Sequence, residues 1–221
     1  MLVSGSVAGV PAELLWELAE GMSYVVAVDS GADWCLAAGL VPDCLIGDMD
    51  SVRAETRALL AAQDVEELVF ERDKDATDLE LALELLLSRG FTDLVATNVL
   101  HGRLDHELAA LGNLADAGTR GMAVTLVEPT QTIIFMNNPG ARSELRLRLG
   151  QNLGPDNAPP VSLIAWGGGA IVSASGFKWP LDQATLQPNS SLGVSNVPIT
   201  DEPLIRLWSG ALLVVVQTPA I

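Results

Sequence analysis

Several residue types are scarce in this chain of 221 residues, and each shortage argues against a class of protein. The two cysteines, Cys35 and Cys44, have no C-x-x-C spacing and no paired histidines, so we expect buried, reduced thiols rather than a disulfide scaffold or a zinc site. No apolar run reaches the roughly 18 residues of a membrane span. The first residues, MLVSGSVAGVPAELLW, show neither a basic start nor a small-residue cleavage site. We therefore expect a cytoplasmic protein with no membrane partner.

Basic residues are also few, because 12 lysines and arginines stand against 28 acidic residues and give a formal net charge of −16. A nucleic-acid binder normally has a basic surface that displaces counterions from phosphates, so we expect no nucleic-acid partner. If the substrate is nevertheless an anionic nucleotide, a divalent cation is needed between protein carboxylates and phosphates.

The order of apolar runs predicts two domains. Between residues 24 and 136, short β-branched runs alternate with helical patterns, which is typical of βαβ units and a mostly parallel sheet. After NNPGA the helical patterns stop, and leucines 145, 147 and 149 alternate with arginines as in a half-buried strand. We predict a mostly parallel α/β domain over residues 1–138 and an antiparallel all-β domain over residues 139–221.

One helix start is marked by its own residues. Thr77 followed by Glu80 is a capping-box pattern, in which a hydroxyl side chain accepts a hydrogen bond from a free amide of the first turn. Leu79, Leu83 and Leu86 then fall on one helical face. The sequence therefore predicts a helix that begins at Thr77 and packs through these leucines.

Acidic side chains follow four of the predicted strands. They are Asp29 after YVVAV, Asp48 and Asp50 after CLI, Asp73, Asp75 and Asp78 after ELVF, and Asp105 after DLVATN. Ligands of open α/β sheets bind beyond the carboxyl ends of the strands, and carboxylates held close together repel one another unless a cation lies among them. Oxygen ligands without cysteine or histidine favour Mg²⁺ over zinc. Taken singly, Asp50, Asp78 and Asp105 could instead be helix caps.

The order of motifs resembles the thiamin pyrophosphokinase family over nearly the whole chain. The motifs are VDSGAD, PDCLIGDMDSV, KDATDLELAL, HGRLDH, SASGFKWPL and VSN. The resemblance implies transfer of the terminal diphosphate of ATP to the hydroxyethyl oxygen of thiamin, which yields thiamin diphosphate and AMP. It also implies that residues 1–138 form an α/β nucleotide-binding catalytic domain and that residues 139–221 form an all-β, sandwich-like domain that binds thiamin. A homodimer with the thiamin pocket across its interface is implied as well.

The resemblance also implies roles for particular residues. Four aspartates match the acidic positions around Mg²⁺, the diphosphate and the attacking hydroxyl, and are the expected catalytic residues: Asp48, Asp50, Asp78 and Asp105. The first three are the expected Mg²⁺ ligands. On the ATP side we expect Asp29, Lys74, Arg103 and His106, and near thiamin we expect Trp179, Ser195 and Asn196. Three alternatives stay open: Lys74 could be a solvated loop charge, Arg103 could hold Asp105 in a structural ion pair, and Trp179 could be β-domain core.

Four positions depart from the family pattern. His101 and Ser30 stand where glycine is usual in the family. Ala110 and Asp33 stand where asparagine is often found. A side chain at position 101 alters backbone freedom, because only glycine carries no steric penalty at positive φ. These departures bear on nucleotide affinity.

Three other functions fit parts of the sequence. The first is diphosphate transfer to another hydroxymethyl heterocycle, such as a pterin, and the second is binding of thiamin or a nucleotide without turnover. The third is a phosphatase of the haloacid-dehalogenase type, because an apolar strand followed by D-x-D also resembles that nucleophile motif. Gly47 interrupts the apolar approach and disfavours the third.

Overall fold

A computed structural model describes residues 1–7, 9–73, 75–148 and 158–217 of the chain. The chain divides into two compact units. The first comprises Met1–Asn113 and Leu126–Pro129, and the second comprises Leu114–Thr125 and Thr130–Ile221. Across the described ranges, none of the helices combines the length and the apolar character that a membrane crossing requires.

The first unit alternates strands and helices, as the sequence predicts. Its strands are β1 (Leu2–Val3), β2 (Val26–Val28), β3 (Cys44–Gly47), β4 (Glu66–Val69) and β5 (Asp93–Thr97). Its helices are α1 (Ala12–Ala19), α2 (Gly31–Ala37), α3 (Ala54–Ala61) and α4 (Asp78–Ser88). The strands pair in parallel in the order β5-β1-β2-β3-β4, so their carboxyl ends lie at one edge. The division between the units runs through α5 (Leu104–Thr119) and β6 (Ala123–Glu128).

Helix α4 forms as its sequence predicts. Oγ1 of Thr77, the N-cap residue, accepts a hydrogen bond from the amide of Glu80 at 3.2 Å. This bond satisfies one of the amides that the first turn leaves without a partner. Leu79, Leu83 and Leu86 are all buried, so the predicted apolar face is the packed one.

Both cysteines are buried and free, as expected. Cys35 lies on α2 and Cys44 opens β3. Burial raises the pKa of the Cys35 thiol to about 12 and that of the Cys44 thiol to about 11. Since the thiolate is the reactive form, both side chains act as small core residues.

The second unit is antiparallel. Its strands are β7 (Gln131–Asn138), β8 (Glu144–Arg146), β9 (Val161–Ala165), β10 (Ala170–Ser175), β11 (Leu181–Leu186) and β12 (Leu204–Gln217). The first half of β12 pairs with β8 and β10, and its second half pairs with β7 and β9. Gly210 lies at the change of partners with φ +89. A Cβ there would meet the carbonyl oxygen of Gly169, so this bend requires glycine.

The inner faces of these strands form one apolar core, which includes Phe177, Leu163, Val172 and Leu212. The predicted strand around Leu145 is present as β8, and Leu147 is buried just after it, while Leu149 lies outside the described residues. The fold class is therefore confirmed: a mostly parallel α/β unit is followed by antiparallel strands.

Candidate active site

A cavity of about 470 Å³ lies at the carboxyl ends of the parallel strands in the first unit. This is where ligands of open α/β sheets bind. Its walls come from the segments that follow β1 and β2, from Ser51 after β3, from the start of α4, and from the segment between β5 and α5. The lining residues are Ser4, Gly5, Ser6, Val7, Val28, Asp29, Ser30, Ser51, Thr77, Asp78, Leu79, Val99, Gly102, Arg103, His106, Glu107 and Ala110.

Two of the predicted carboxylates, Asp29 and Asp78, line this cavity, and Asp48 acts on Asp29 through its charge without lining the cavity itself. Burial, followed by the charges of Asp78 and Asp48, raises the pKa of Asp29 to about 7. Oδ1 of Asp29 is buried and accepts no hydrogen bond from the residues that the structure describes. Carboxylates so placed repel one another, and a cation between them would remove that repulsion. The donor set therefore fits a hard cation such as Mg²⁺.

The backbone at the strand ends is shaped to hold these carboxylates. Asp29 and Met49 both have positive φ, +48 and +65, and Gly47 has φ +151. A Cβ at Gly47 would overlap the carboxylate of Asp29. The glycine of the GDMDS motif thus leaves the space into which the Asp29 side chain fits.

The two aspartates of GDMDS differ in their surroundings. Oδ1 of Asp48 accepts a hydrogen bond from the amide of Asp50 at 3.0 Å, whereas the exposed carboxylate of Asp50 lies 3.3 Å from Nη2 of Arg72. Helix α3 begins at Ala54, so Asp50 is not its N-cap. Within the described ranges, no group of three or more His, Cys, Asp and Glu side chains is arranged as a metal site. The charge of Asp48 acts on Asp29, while Asp50 pairs with an arginine, and neither residue lines the cavity.

Arg103 and Asp105 form the ion pair that was one alternative for them. Nε and Nη2 of Arg103 donate to the two carboxylate oxygens of Asp105 at 3.2 and 2.6 Å. Hydrogen bonds from Arg103 lower the pKa of Asp105. Asp105 is 65% exposed and is not among the lining residues, whereas Arg103 and His106 are. Lys74 lies outside the described residues.

Two positions that depart from the family pattern lie in informative places. His101 has φ +73, which is the left-handed conformation that favours glycine. Ser30 lines the cavity, and its hydroxyl donates to the carbonyl of Gly5 at 3.2 Å. At position 101 a side chain therefore stands where the backbone geometry favours glycine, whereas Ser30 has φ −61, which any residue adopts.

Sequence reasoning missed two buried polar residues beside the cavity, Asn98 and Glu128. The amide group of Asn98 donates to the carbonyl oxygens of Ser4 at 2.6 Å and Ser6 at 3.3 Å. Oε1 of Glu128 accepts from two backbone amides of the segment that follows β5. One signal was available for Glu128. In β6 every second residue is buried, and Glu128 continues the row of Val124 and Leu126.

The predicted thiamin residues lie together in the second unit. Oδ1 of Asn196 accepts from the amides of Trp179 and Val197, and its Nδ2 donates to the carbonyl of Trp179 at 2.7 Å. Asn196 is 3% exposed, so its side chain holds the main chain rather than facing solvent. Ser195 is exposed at φ +56, and its amide donates to Oγ of Ser162.

Trp179 is not a core residue, because its side chain is 53% exposed. Nζ of Lys178 lies 4.9 Å from the centroid of the indole ring. The ring therefore already contacts one cation, and an exposed indole face is suited to another.

Comparison with known proteins identifies relatives of the whole chain. The family model described as "Thiamin pyrophosphokinase, catalytic domain" matches residues 15–126, and the model described as "Thiamin pyrophosphokinase, vitamin B1 binding domain" matches residues 146–211. The chain is 26% identical to thiamine pyrophosphokinase of Bacillus subtilis over 216 residues, which are 96% of this chain and 97% of that protein. It is 24% identical to thiamine pyrophosphokinase 1 of Oryza sativa over 78% of this chain and 64% of that one.

Solved structures share the fold. The crystal structure of the Bacillus subtilis thiamine pyrophosphokinase superposes with a TM-score of 0.84 at 23% identity, over 99% of this chain and 98% of that one. The thiamin pyrophosphokinase of Candida albicans superposes with a TM-score of 0.80 at 12% identity, over 99% and 88% of the two chains.

Proposed function

The chain belongs to the thiamin pyrophosphokinase family, and we propose that the cavity of its first unit binds ATP for diphosphate transfer to thiamin. Thiamine diphosphokinase, a transferase, is the activity that the family supports for this chain. In this reaction the hydroxyethyl oxygen of thiamin attacks the β-phosphorus of ATP, the bond from that phosphorus to the α,β-bridging oxygen breaks, and AMP leaves. The observation that carries the proposal is the cavity itself, which joins Asp29 and Asp78 to Arg103 inside the matched catalytic region.

The residues around the cavity suit phosphoryl-type transfer, which depends on positioning and on neutralising charge. Arg103 is the cation that would face the phosphates. Its two hydrogen bonds to Asp105 orient the guanidinium group. His106 lines the same wall. Lys74 would add a second cation from the segment before α4, a role that rests on the motif alone.

We propose Asp48 and Asp78 as the principal ligands of Mg²⁺, with Asp29 beside them and Asp50 joining when its pair with Arg72 opens. Bound Mg²⁺ would supply neutralisation of the charge on the transferred diphosphate. The raised pKa of Asp29 and its buried Oδ1 support a cation at this place. The carboxylates would otherwise repel both one another and the substrate.

Asp78 is the stronger candidate for the group that orients or deprotonates the thiamin hydroxyl. The sequence left Asp78 and Asp105 as equal candidates. Asp78 lines the cavity at the start of α4, whereas the carboxylate of Asp105 is held by Arg103 and lies outside the lining. Proton acceptance requires a carboxylate within hydrogen-bond reach of the substrate, which favours Asp78.

The second unit would bind thiamin. Trp179 offers an exposed indole for the thiazolium cation, a contact of about 0.5–2 kcal/mol. Ser195 directly precedes Asn196 in the chain, and Asn196 positions the backbone of Trp179. The proposal includes a homodimer with the thiamin pocket at its interface, a cytoplasmic location, and the division of these roles between residues 1–138 and 139–221.

The test is to incubate the purified protein with ATP, Mg²⁺ and thiamin and to resolve the products by chromatography. We expect thiamin diphosphate and AMP in equal amounts, only when all three components are present. The Asp78→Asn variant, purified in the same way, is the matched control: product formed equally by this variant would come from a contaminating enzyme. AMP formation with a hydroxymethyl pterin but not with thiamin would favour the pterin alternative. Tight binding of thiamin or ATP without product would favour the binding-protein alternative.

A further inference from the structure

The segment from Asn98 to Arg103 forms one wall of the cavity through Val99, Gly102 and Arg103. Two of its residues have positive φ, Asn98 at +58 and His101 at +73. Asparagine tolerates this conformation better than most residues, whereas a larger side chain such as that of His101 is stabilised in it by surrounding contacts. The segment therefore needs anchors that outweigh its own backbone preferences.

Glu128, at the end of β6, supplies the buried anchor. Its Oε1 accepts from the amide of Val99 at 2.7 Å and from the amide of Leu100 at 3.0 Å, and the residue is 2% exposed. Burial raises the pKa of Glu128, and the hydrogen bonds from these amides oppose that rise. Hydrogen bonds from backbone amides to a carboxylate are about twice as strong as hydrogen bonds between neutral groups.

Other contacts hold the two sides of the same segment. The hydroxyl of Ser6 donates to the carbonyl of Leu100, and the amide of Gly102 donates to Oε1 of Glu107 at 2.6 Å. Leu100 is therefore fixed at both of its main-chain polar groups. The amides of Val99 and Leu100 donate to Glu128, which does not line the cavity, so Glu128 acts on a ligand only through the segment that it holds.

We propose that Glu128 is a positioning residue for ATP: it fixes the Asn98–Arg103 segment so that the cavity wall and Arg103 are in place before the nucleotide binds. This inference rests on the proposed function, because it assigns the cavity to ATP. Glu128 is not itself a lining residue. Its loss should therefore weaken nucleotide binding and leave the thiamin side unchanged.

The test compares Glu128→Gln with Thr97→Val in the full-length protein. Thr97 is buried on β5 next to the segment, and its hydroxyl accepts or donates no hydrogen bond among the described residues, so Thr97→Val controls for a buried polar substitution. Amide hydrogen exchange of Val99 and Leu100 reports on the segment, calorimetry with ATP and Mg²⁺ reports on nucleotide binding, and steady-state kinetics separate the two KM values.

For Glu128→Gln we expect about tenfold faster exchange at Val99 and Leu100 and about a tenfold rise in Kd and KM for ATP, with the thiamin KM within about twofold of wild type. Thr97→Val should match wild type in all three readouts. Faster exchange with an unchanged ATP Kd would overturn the proposal and leave Glu128 a structural residue, and so would equal losses on both substrates.

Three further outcomes are separable. If Glu128→Gln does not fold, Glu128→Asp keeps the charge but withdraws it by one methylene, and it should weaken ATP binding in the same selective way. If the wild-type protein binds ATP but makes no thiamin diphosphate, the proposed reaction fails while the ATP Kd still decides the role of Glu128. If the wild-type protein binds no ATP, both fail, and exchange at Val99 and Leu100 decides only whether Glu128 orders the segment.

Discussion

Replacement of Asp29 by Asn should stabilise the folded protein at neutral and alkaline pH when no divalent cation is present. Burial, followed by the charges of Asp78 and Asp48, raises the pKa of Asp29 from its ordinary 3.8 to about 7. Between these pH values the unfolded chain releases its proton while the folded chain keeps it. The free energy of unfolding of the wild-type protein therefore falls as pH rises through this window, and it levels off above about pH 7.

The magnitude follows from the same values. A rise of the pKa from 3.8 to about 7 corresponds to about 4 kcal/mol between the charged and neutral forms. We reduce this to about 2 kcal/mol, because part of the side chain contacts solvent and solvent screens its charge. An asparagine at position 29 has nearly the same shape and no charge, so the variant should gain about this amount above pH 7.

The assay is urea unfolding of both proteins in the presence of EDTA at pH 5, 6, 7 and 8. The stability difference between Asp29→Asn and wild type should grow with pH and then become constant. At pH 8, millimolar Mg²⁺ should raise the free energy of unfolding of the wild-type protein and so reduce its difference from Asp29→Asn. Asp182→Asn, at an exposed position of β11, controls for the loss of one negative charge from an acidic chain. A difference that is the same at every pH would refute the carboxylate repulsion on which the cation site depends.

Three other substitutions test the remaining assignments. Asp48→Asn should lower turnover by about two decades, as when one preorganised electrostatic contact is lost, with an unchanged circular dichroism spectrum; wild-type turnover would remove Asp48 from the metal site. Trp179→Ala should raise the KM for thiamin and leave that for ATP unchanged, because the indole is exposed; lower stability in urea with normal kinetics would contradict this. Asn196→Ala should lower the free energy of unfolding by about 2–4 kcal/mol in urea, since two amides and a carbonyl lose their partner, and a loss below about 1 kcal/mol would show that water replaces the side chain.

The periodic and capped parts of the fold could be predicted from the sequence. Thr77 and Glu80 mark the start of α4, and the spacing of Leu79, Leu83 and Leu86 gives its buried face, because capping and helical periodicity are local properties. The rule for open α/β sheets predicted Asp78 at the carboxyl ends of the strands, and Asp78 lines the cavity there.

The directions of the side chains in the loops could not be predicted in the same way. Asp48 and Asp50 are two residues apart, yet one approaches Asp29 and the other pairs with Arg72, because Met49 between them is left-handed. Asn196 looks like a ligand residue by type, but its amide group is used by the main chain of Trp179. Such outcomes depend on backbone angles and on partners distant in sequence, which no local pattern encodes.

The fit between Asp29 and Gly47 has a consequence for how this site evolves. The carboxylate of residue 29 occupies the volume that a side chain at residue 47 would need. The two positions lie on neighbouring strand ends and share one space, so residue 47 cannot gain a side chain while residue 29 keeps its carboxylate. A smaller residue at 29 would free this space, but Gly47 has φ +151, which disfavours any other residue there. Among related sequences we therefore expect glycine at 47 to be retained even where residue 29 differs, and directed evolution at this rim should leave the codon of residue 47 unchanged.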